Sequence, residues 1–171
     1  HLQMIATPIP YSYQARMLDG CSRWQRENGS AYFVDLIAEE KGGPRYIGET
    51  GNWLWLTPFS PLGINEVMAI HEHLGDLDEL SDDDLSNLSA GISKVLAYYE
   101  TLGHLSYNYA LYSVRRDRND GGFRALLKII TRQNLYPNYR NDDYFLQKLL
   151  QSELIITPPE ELAGHLQKSF T

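Results

Sequence analysis

Three groups of side chains in this 171-residue chain have the types and spacing to do chemistry. The first is His1-Leu2-Gln3. On an extended segment successive side chains alternate faces, so His1 and Gln3 project together. An imidazole with one free nitrogen is a nucleophile or a base, and the carboxamide beside it is a neutral hydrogen-bond donor. The plain alternative is that His1 is the remnant of a purification tag. The second group is His71-Glu72-His73, whose imidazoles share a face of a strand but lack the i, i+4 spacing that brings two ligands together on a helix. Beyond the acidic residues Asp76, Asp78 and Glu79 no third ligand follows, so a solvated strand end is expected there, with a metal-dependent hydrolase as the sharper alternative. The third group is Arg124, Lys128 and Arg132 on one even-spaced strand face, where they could form a row for phosphate. A solvent-facing row of charges that guards an edge strand is the simpler expectation.

Composition narrows what these groups could serve. The net charge is −7, and apart from Arg115-Arg116-Asp117-Arg118 the basic residues are dispersed, so no nucleic acid and no anionic membrane is expected as a partner. Local donors could still hold one small phosphorylated ligand. No apolar run approaches the roughly 20 residues of a membrane span, and no signal-peptide pattern is visible. With Cys21 as the single cysteine there is no disulfide framework and no Cys-x-x-Cys clip, which fits a cytoplasmic location. A chain of this length can bury roughly two-thirds of its unfolded surface.

The elements that must position these groups are legible in outline. Pro8, Pro10, Gly20 and Glu27-Asn28-Gly29-Ser30 break any periodicity, so residues 1–30 read as an irregular arm. A short helix fits Tyr32 to Glu40 and stops at Gly42-Gly43-Pro44. Arg45 to Thr50, Trp53 to Phe59 and Ile64 to Ile70 read as an antiparallel meander, with Trp53, Trp55 and Thr57 on one face and Leu54, Leu56 and Pro58 on the other. Ser81 can cap the amide of Asp84, Leu80 and Leu85 have staple spacing, and Leu85, Leu88, Ile92, Val95 and Tyr99 make one helical stripe. Two more strands fit Ser106 to Val114 and Phe123 to Thr131, and a helix is expected from Asp142 or Asp143. Thr157-Pro158-Pro159-Glu160 opens the last helix, with Thr157 as its cap and Leu162, Ala163 and Leu166 as its buried stripe. The expected class is α+β, an antiparallel sheet of about five strands with helices packed on it.

Taken in order, Glu49 to Phe59, Ile70-His71-Glu72-His73, Leu77 to Leu80, Tyr107-Asn108-Tyr109, Gln151 to Leu154 and Thr157 to Ala163 resemble the second half of the galactose-1-phosphate uridylyltransferase family, a branch of the histidine-triad superfamily. The likeness spans nearly the whole chain. It implies that residues 31–171 are a second histidine-triad-like domain and that 1–30 are the end of a first.

In that family a His-x-His-x-Gln motif closes the first domain, and His1-Leu2-Gln3 matches its last three positions. The resemblance implies that His1 attacks the α-phosphorus of a nucleotide sugar, giving a nucleotidyl-histidine that a sugar 1-phosphate resolves in a ping-pong cycle. Gln3 would donate to a phosphate oxygen as charge develops. Glu153 matches a position that reaches the neighbouring subunit's sugar site, which implies a homodimer; Arg124 and Lys128 are the basic candidates for substrate contact.

The chain also departs from the family. The strand that carries His-x-His in relatives reads Arg124-Ala125-Leu126-Leu127-Lys128, and Tyr112 stands where another metal-binding His would be, so neither a metal nor a cofactor is expected within this chain. Zinc would belong to a longer protein. The expected function is the carboxy-terminal portion of a UDP-glucose:hexose-1-phosphate uridylyltransferase type of enzyme, transferring a uridylyl or adenylyl group and inactive as an isolated fragment. The alternative is a degenerate histidine-triad-like domain that binds nucleotide or dimerises without turnover.

Overall fold

The computed structural model describes residues 11–119, 121–132 and 155–170; His1, Gln3, Glu153 and the helix expected from Asp142 or Asp143 lie outside the described residues. Its centre is a five-stranded sheet of β1 (Tyr46–Thr50), β2 (Trp53–Leu56), β3 (Val67–His71), β4 (Tyr107–Tyr112) and β5 (Leu126–Thr131). The order is β1-β2-β3-β5-β4 and every pairing is antiparallel. The β1–β2 turn falls at Gly51-Asn52, where Gly51 takes φ +57 and a Cβ would lie 2.3 Å from the Asn87 side chain. Both the backbone angle and the contact call for glycine.

Alternation along β2 sorts the core as expected. Trp53 and Trp55 face one side, with Val67, Ala69, Leu127 and Ile129. Leu54 and Leu56 face the other, with Met68, Ile70 and Leu126. Each side has its own helices. The tryptophan side is covered by α3 (Asp82–Thr101) and by the C-terminal helix Pro159–Phe170, here α4. The leucine side is covered by α1 (Ser12–Asn28) and α2 (Tyr32–Glu40), through Met17, Leu18, Cys21, Phe33, Leu36 and Ile37.

Where the irregular arm is expected, the described residues Ser12–Asn28 form the helix α1. Tyr13, Met17, Cys21 and Trp24 recur at helical spacing, and Cys21 is 3% exposed. The Asn28-Gly29 signal marks the end of this helix rather than a break in it. Gly29 takes φ +75 and returns its N–H to the Gln25 carbonyl.

The capping box at Ser81 forms as the spacing predicts, but α3 is rotated from the expected stripe. Asp84, Leu88, Gly91, Val95 and Tyr99 are its buried positions, and Leu85 is 49% exposed, off the buried face. Gly91 is what lets the helix approach, since a Cβ there would lie 2.1 Å from Cζ2 of Trp55. Gly91→Ala is therefore expected to destabilise by about 1–3 kcal/mol, because overpacking outweighs the gain in helix propensity. Urea unfolding followed by circular dichroism checks this, with Gly20→Ala as a control expected to stabilise by about 0.5–1 kcal/mol, since its Cβ meets nothing within 4 Å.

Helix α4 starts at Pro159, with the Pro158 carbonyl accepting from the amides of Glu161 and Leu162. The cap position is thus Pro158 and not Thr157. Leu162, Ala163 and Leu166 are buried as the stripe predicts. Arg45 ties the two layers together, giving Nη1 to Glu160 at 3.0 Å and Nη2 to Glu40 at 2.6 Å.

Candidate functional site

β5 is an interior strand, flanked by β3 and β4, so its charges do not guard an edge. Lys128 pairs in register with Met68 and shares the α1/α2 side of the sheet with Leu126. Its side chain is 11% exposed and lies 2.6 Å from Oε1 of Glu66, which is wholly buried; the ammonium sits 5.5 Å over the Tyr13 ring. The other Glu66 oxygen accepts the N–H of Leu62. Burial alone would lower the Lys128 pKa, but the charge of Glu66, reinforced by Tyr13, raises it above the ordinary lysine value.

Arg124 lies just before β5, and its Nε donates 3.1 Å to the Glu72 carbonyl; burial lowers its pKa. Arg132 is exposed beyond the other end of the strand. The three cations do not assemble into a phosphate-binding row.

Lys128 forms part of the wall of a cavity of about 540 Å³ between α1, α2 and the sheet, with Met17, Cys21, Phe33 and Leu56 among its apolar lining and Glu40 at α2's last position. Burial pushes the Cys21 thiol up to about 11, so it is a neutral lining group. Tyr112 is the register partner of Leu126 and meets Tyr13 edge-on at 5.7 Å. Tyr112 and the run Arg124 to Lys128, which the resemblance sets at a metal site, thus carry a phenol, a guanidinium held by a backbone carbonyl, hydrocarbons and a paired ammonium, a donor set that does not fit a metal.

His71 is not a solvated strand end. It is 1% exposed, with Trp53 edge-on at 5.0 Å. Its Nδ1 accepts the amides of His73 at 3.2 Å and Leu74 at 2.9 Å, which puts the proton on Nε2, facing Asp84 Oδ1 at 3.2 Å. Burial lowers its pKa; Asp84 opposes this, and the charges of His73 and Arg124 add to it. With both ring nitrogens engaged, His71 has none to give a metal, and among the described residues no group of three or more His, Cys, Asp or Glu could hold one.

Asp84 is the hub that sequence reasoning missed. It accepts from the Ser81 hydroxyl at 2.6 Å, the Ser81 amide at 3.0 Å and Asn52 at 2.9 Å, besides His71. These donors, Ser81 foremost, hold its carboxyl far below the usual range. Glu66 and Tyr13 were also missed, because the first lies 62 residues from Lys128 and the second falls in the supposed arm.

No family model matches the chain. An uncharacterized protein of Archaeoglobus fulgidus is 27% identical over 171 residues, which is all of this chain and 51% of that protein. Among solved structures, a uridylyltransferase superposes with a TM-score of 0.78 at 17% identity, covering 95% of this chain and 52% of that one. An ADP-glucose phosphorylase from Arabidopsis thaliana with bound ADP-glucose gives 0.74 at 15% identity, over 95% of this chain and 51% of that one. A zinc-bound histidine triad family protein from Mycobacterium smegmatis gives 0.54 at 19% identity, over 82% and 93%. The chain therefore spans about half the length of the relatives it first matches. Its fold is the α+β histidine-triad-like fold that makes up half of the uridylyltransferase structures.

Proposed function

We propose that this chain is the carboxy-terminal half of a nucleotidyltransferase that moves a nucleotidyl group between sugar 1-phosphates. One observation carries the reading. A uridylyltransferase and an ADP-glucose phosphorylase superpose over 95% of this chain and about half of their own, and His1-Leu2-Gln3 matches the end of the motif that carries the nucleophile in the family the chain resembles. In this reading His1 attacks the α-phosphorus, the bond to the bridging oxygen breaks, and sugar 1-phosphate leaves. A second sugar 1-phosphate then attacks the phosphorus and restores the imidazole. Gln3 steadies the phosphate oxygens, and Glu153 completes the sugar site of a second subunit.

The test uses the full-length protein with UDP-glucose and, separately, ADP-glucose, quenched in alkali to preserve a phosphorus–nitrogen bond. Intact mass is expected to show one uridylyl or adenylyl adduct, absent in His1→Ala and discharged by galactose 1-phosphate. The donor that labels identifies the base. Folded protein that takes no adduct from either donor rejects the reading and leaves the non-catalytic domain.

A further inference from the structure

The reaction proposed above centres on His1 and does not call on the cavity between α1, α2 and the sheet. We propose that this cavity is a binding site in its own right, for a neutral, flat, largely apolar molecule that donates one N–H or O–H hydrogen bond to Glu40. Its volume of about 540 Å³ is that of a small-molecule site. Trp24, Tyr32, Phe33 and Phe59 supply aromatic surface, which favours a planar guest.

The polar demand comes from Glu40. The residue is 6% exposed, and its Oε1 takes both the Nε of Arg45 at 3.1 Å and the Nη2 at 2.6 Å. Its Oε2 is buried and has no partner among the described residues. Buried acceptors in folded proteins are nearly always satisfied, and a carboxylate can only accept, so the missing partner is a donor. Arg45 already balances the charge of Glu40, and Lys128 is likewise balanced by Glu66. The charged lining is Arg23 and Lys128 against Glu27 and Glu40, which favours a neutral guest over an anion or a cation.

Gly20 is an independent sign that the space is kept open. It sits in the interior of α1 and lines the cavity, yet a Cβ there would meet nothing within 4 Å. A helix-interior glycine is unfavourable, and packing does not require this one. A large side chain at that lining position narrows the space open to a guest.

Indole and N-methylindole are the probes, because they share a flat apolar body and differ by the single N–H. Titration calorimetry of the 171-residue chain is expected to show saturable indole binding at least tenfold tighter than N-methylindole, although the methyl compound is the more hydrophobic. Gly20→Leu is expected to remove indole binding while keeping the far-ultraviolet spectrum of the parent and a melting temperature no lower than the parent's. If that variant fails to fold, Gly20→Ala serves, with a smaller loss of affinity. Absence of saturable binding by indole overturns the proposal, and so does equal binding of the two probes or unchanged binding in a folded Gly20→Leu chain.

Discussion

Lys128→Met is expected to destabilise the chain by about 3–5 kcal/mol, the cost of breaking a buried ion pair by removing one partner. The loss should be this large because Glu66 has no solvent to turn to. Its side chain is wholly buried, one oxygen faces the lysine ammonium at 2.6 Å, and the other is held by the Leu62 amide. Removing the ammonium leaves that buried carboxylate without its counter-charge. Removing both charges removes the problem, so the Glu66→Gln, Lys128→Met double variant should recover most of what the single variant lost. Urea unfolding of the four chains of this cycle measures the coupling. A loss below about 1 kcal/mol for Lys128→Met would reduce the pair to the worth of a surface salt bridge and refute the account.

The same residue shows where sequence reading stops. Period-two alternation placed Trp53 and Trp55 opposite Leu54 and Leu56, and the structure puts them in two separate cores. Ser81 with Asp84 marked a helix start because capping is a local interaction, settled within about four residues. The place of a strand in a sheet is not local. Nothing in Leu126 to Thr131 says that it lies between β3 and β4, and a lysine in such a run reads as exposed until its partner, 62 residues away, is known. Helix α1 was hidden for another reason. Its stripe of Tyr13, Met17, Cys21 and Trp24 is interrupted by Gly20, which reads as a breaker unless the room it leaves beside α2 is seen. Of the candidate site residues, Lys128 proved to be a buried pair and Arg124 a backbone contact, while His1, Gln3 and Glu153 lie outside the described residues.

Acid should unfold this chain in two stages, both routed through the contact between β3 and α3. His71 is neutral in the folded state, with burial lowering its pKa, so below the ordinary value of about 6.5 the unfolded chain binds a proton that the folded chain refuses. Stability from this group is present above about pH 6.5 and is lost as the pH falls toward the depressed folded value. Asp84 acts in the same direction at lower pH. Its folded pKa is depressed, so its contribution is complete above the ordinary value of about 3.9 and drains away beneath it. The melting temperature is therefore expected to hold between about pH 7 and 8, to decline as the pH falls below about 6.5, and to fall steeply below about 4. His71→Gln, whose carboxamide can donate to Asp84 and accept from the Leu74 amide, should erase the first decline and keep the second. Asp84→Ala should cost about 2–4 kcal/mol already at pH 7, because it strips the α3 cap and leaves the buried His71 without its acceptor. A melting temperature unchanged from pH 7 to 5, or a first decline that persists in His71→Gln, would mean that His71 does not govern this step. The weakness lies where it does because the wholly buried His71 imidazole sits between an aromatic floor at Trp53 and the helix start that Asp84 holds. Protonating His71 at Nδ1 costs it the hydrogen bonds it accepts from the His73 and Leu74 amides, and protonating Asp84 weakens the cap that holds α3 against the sheet.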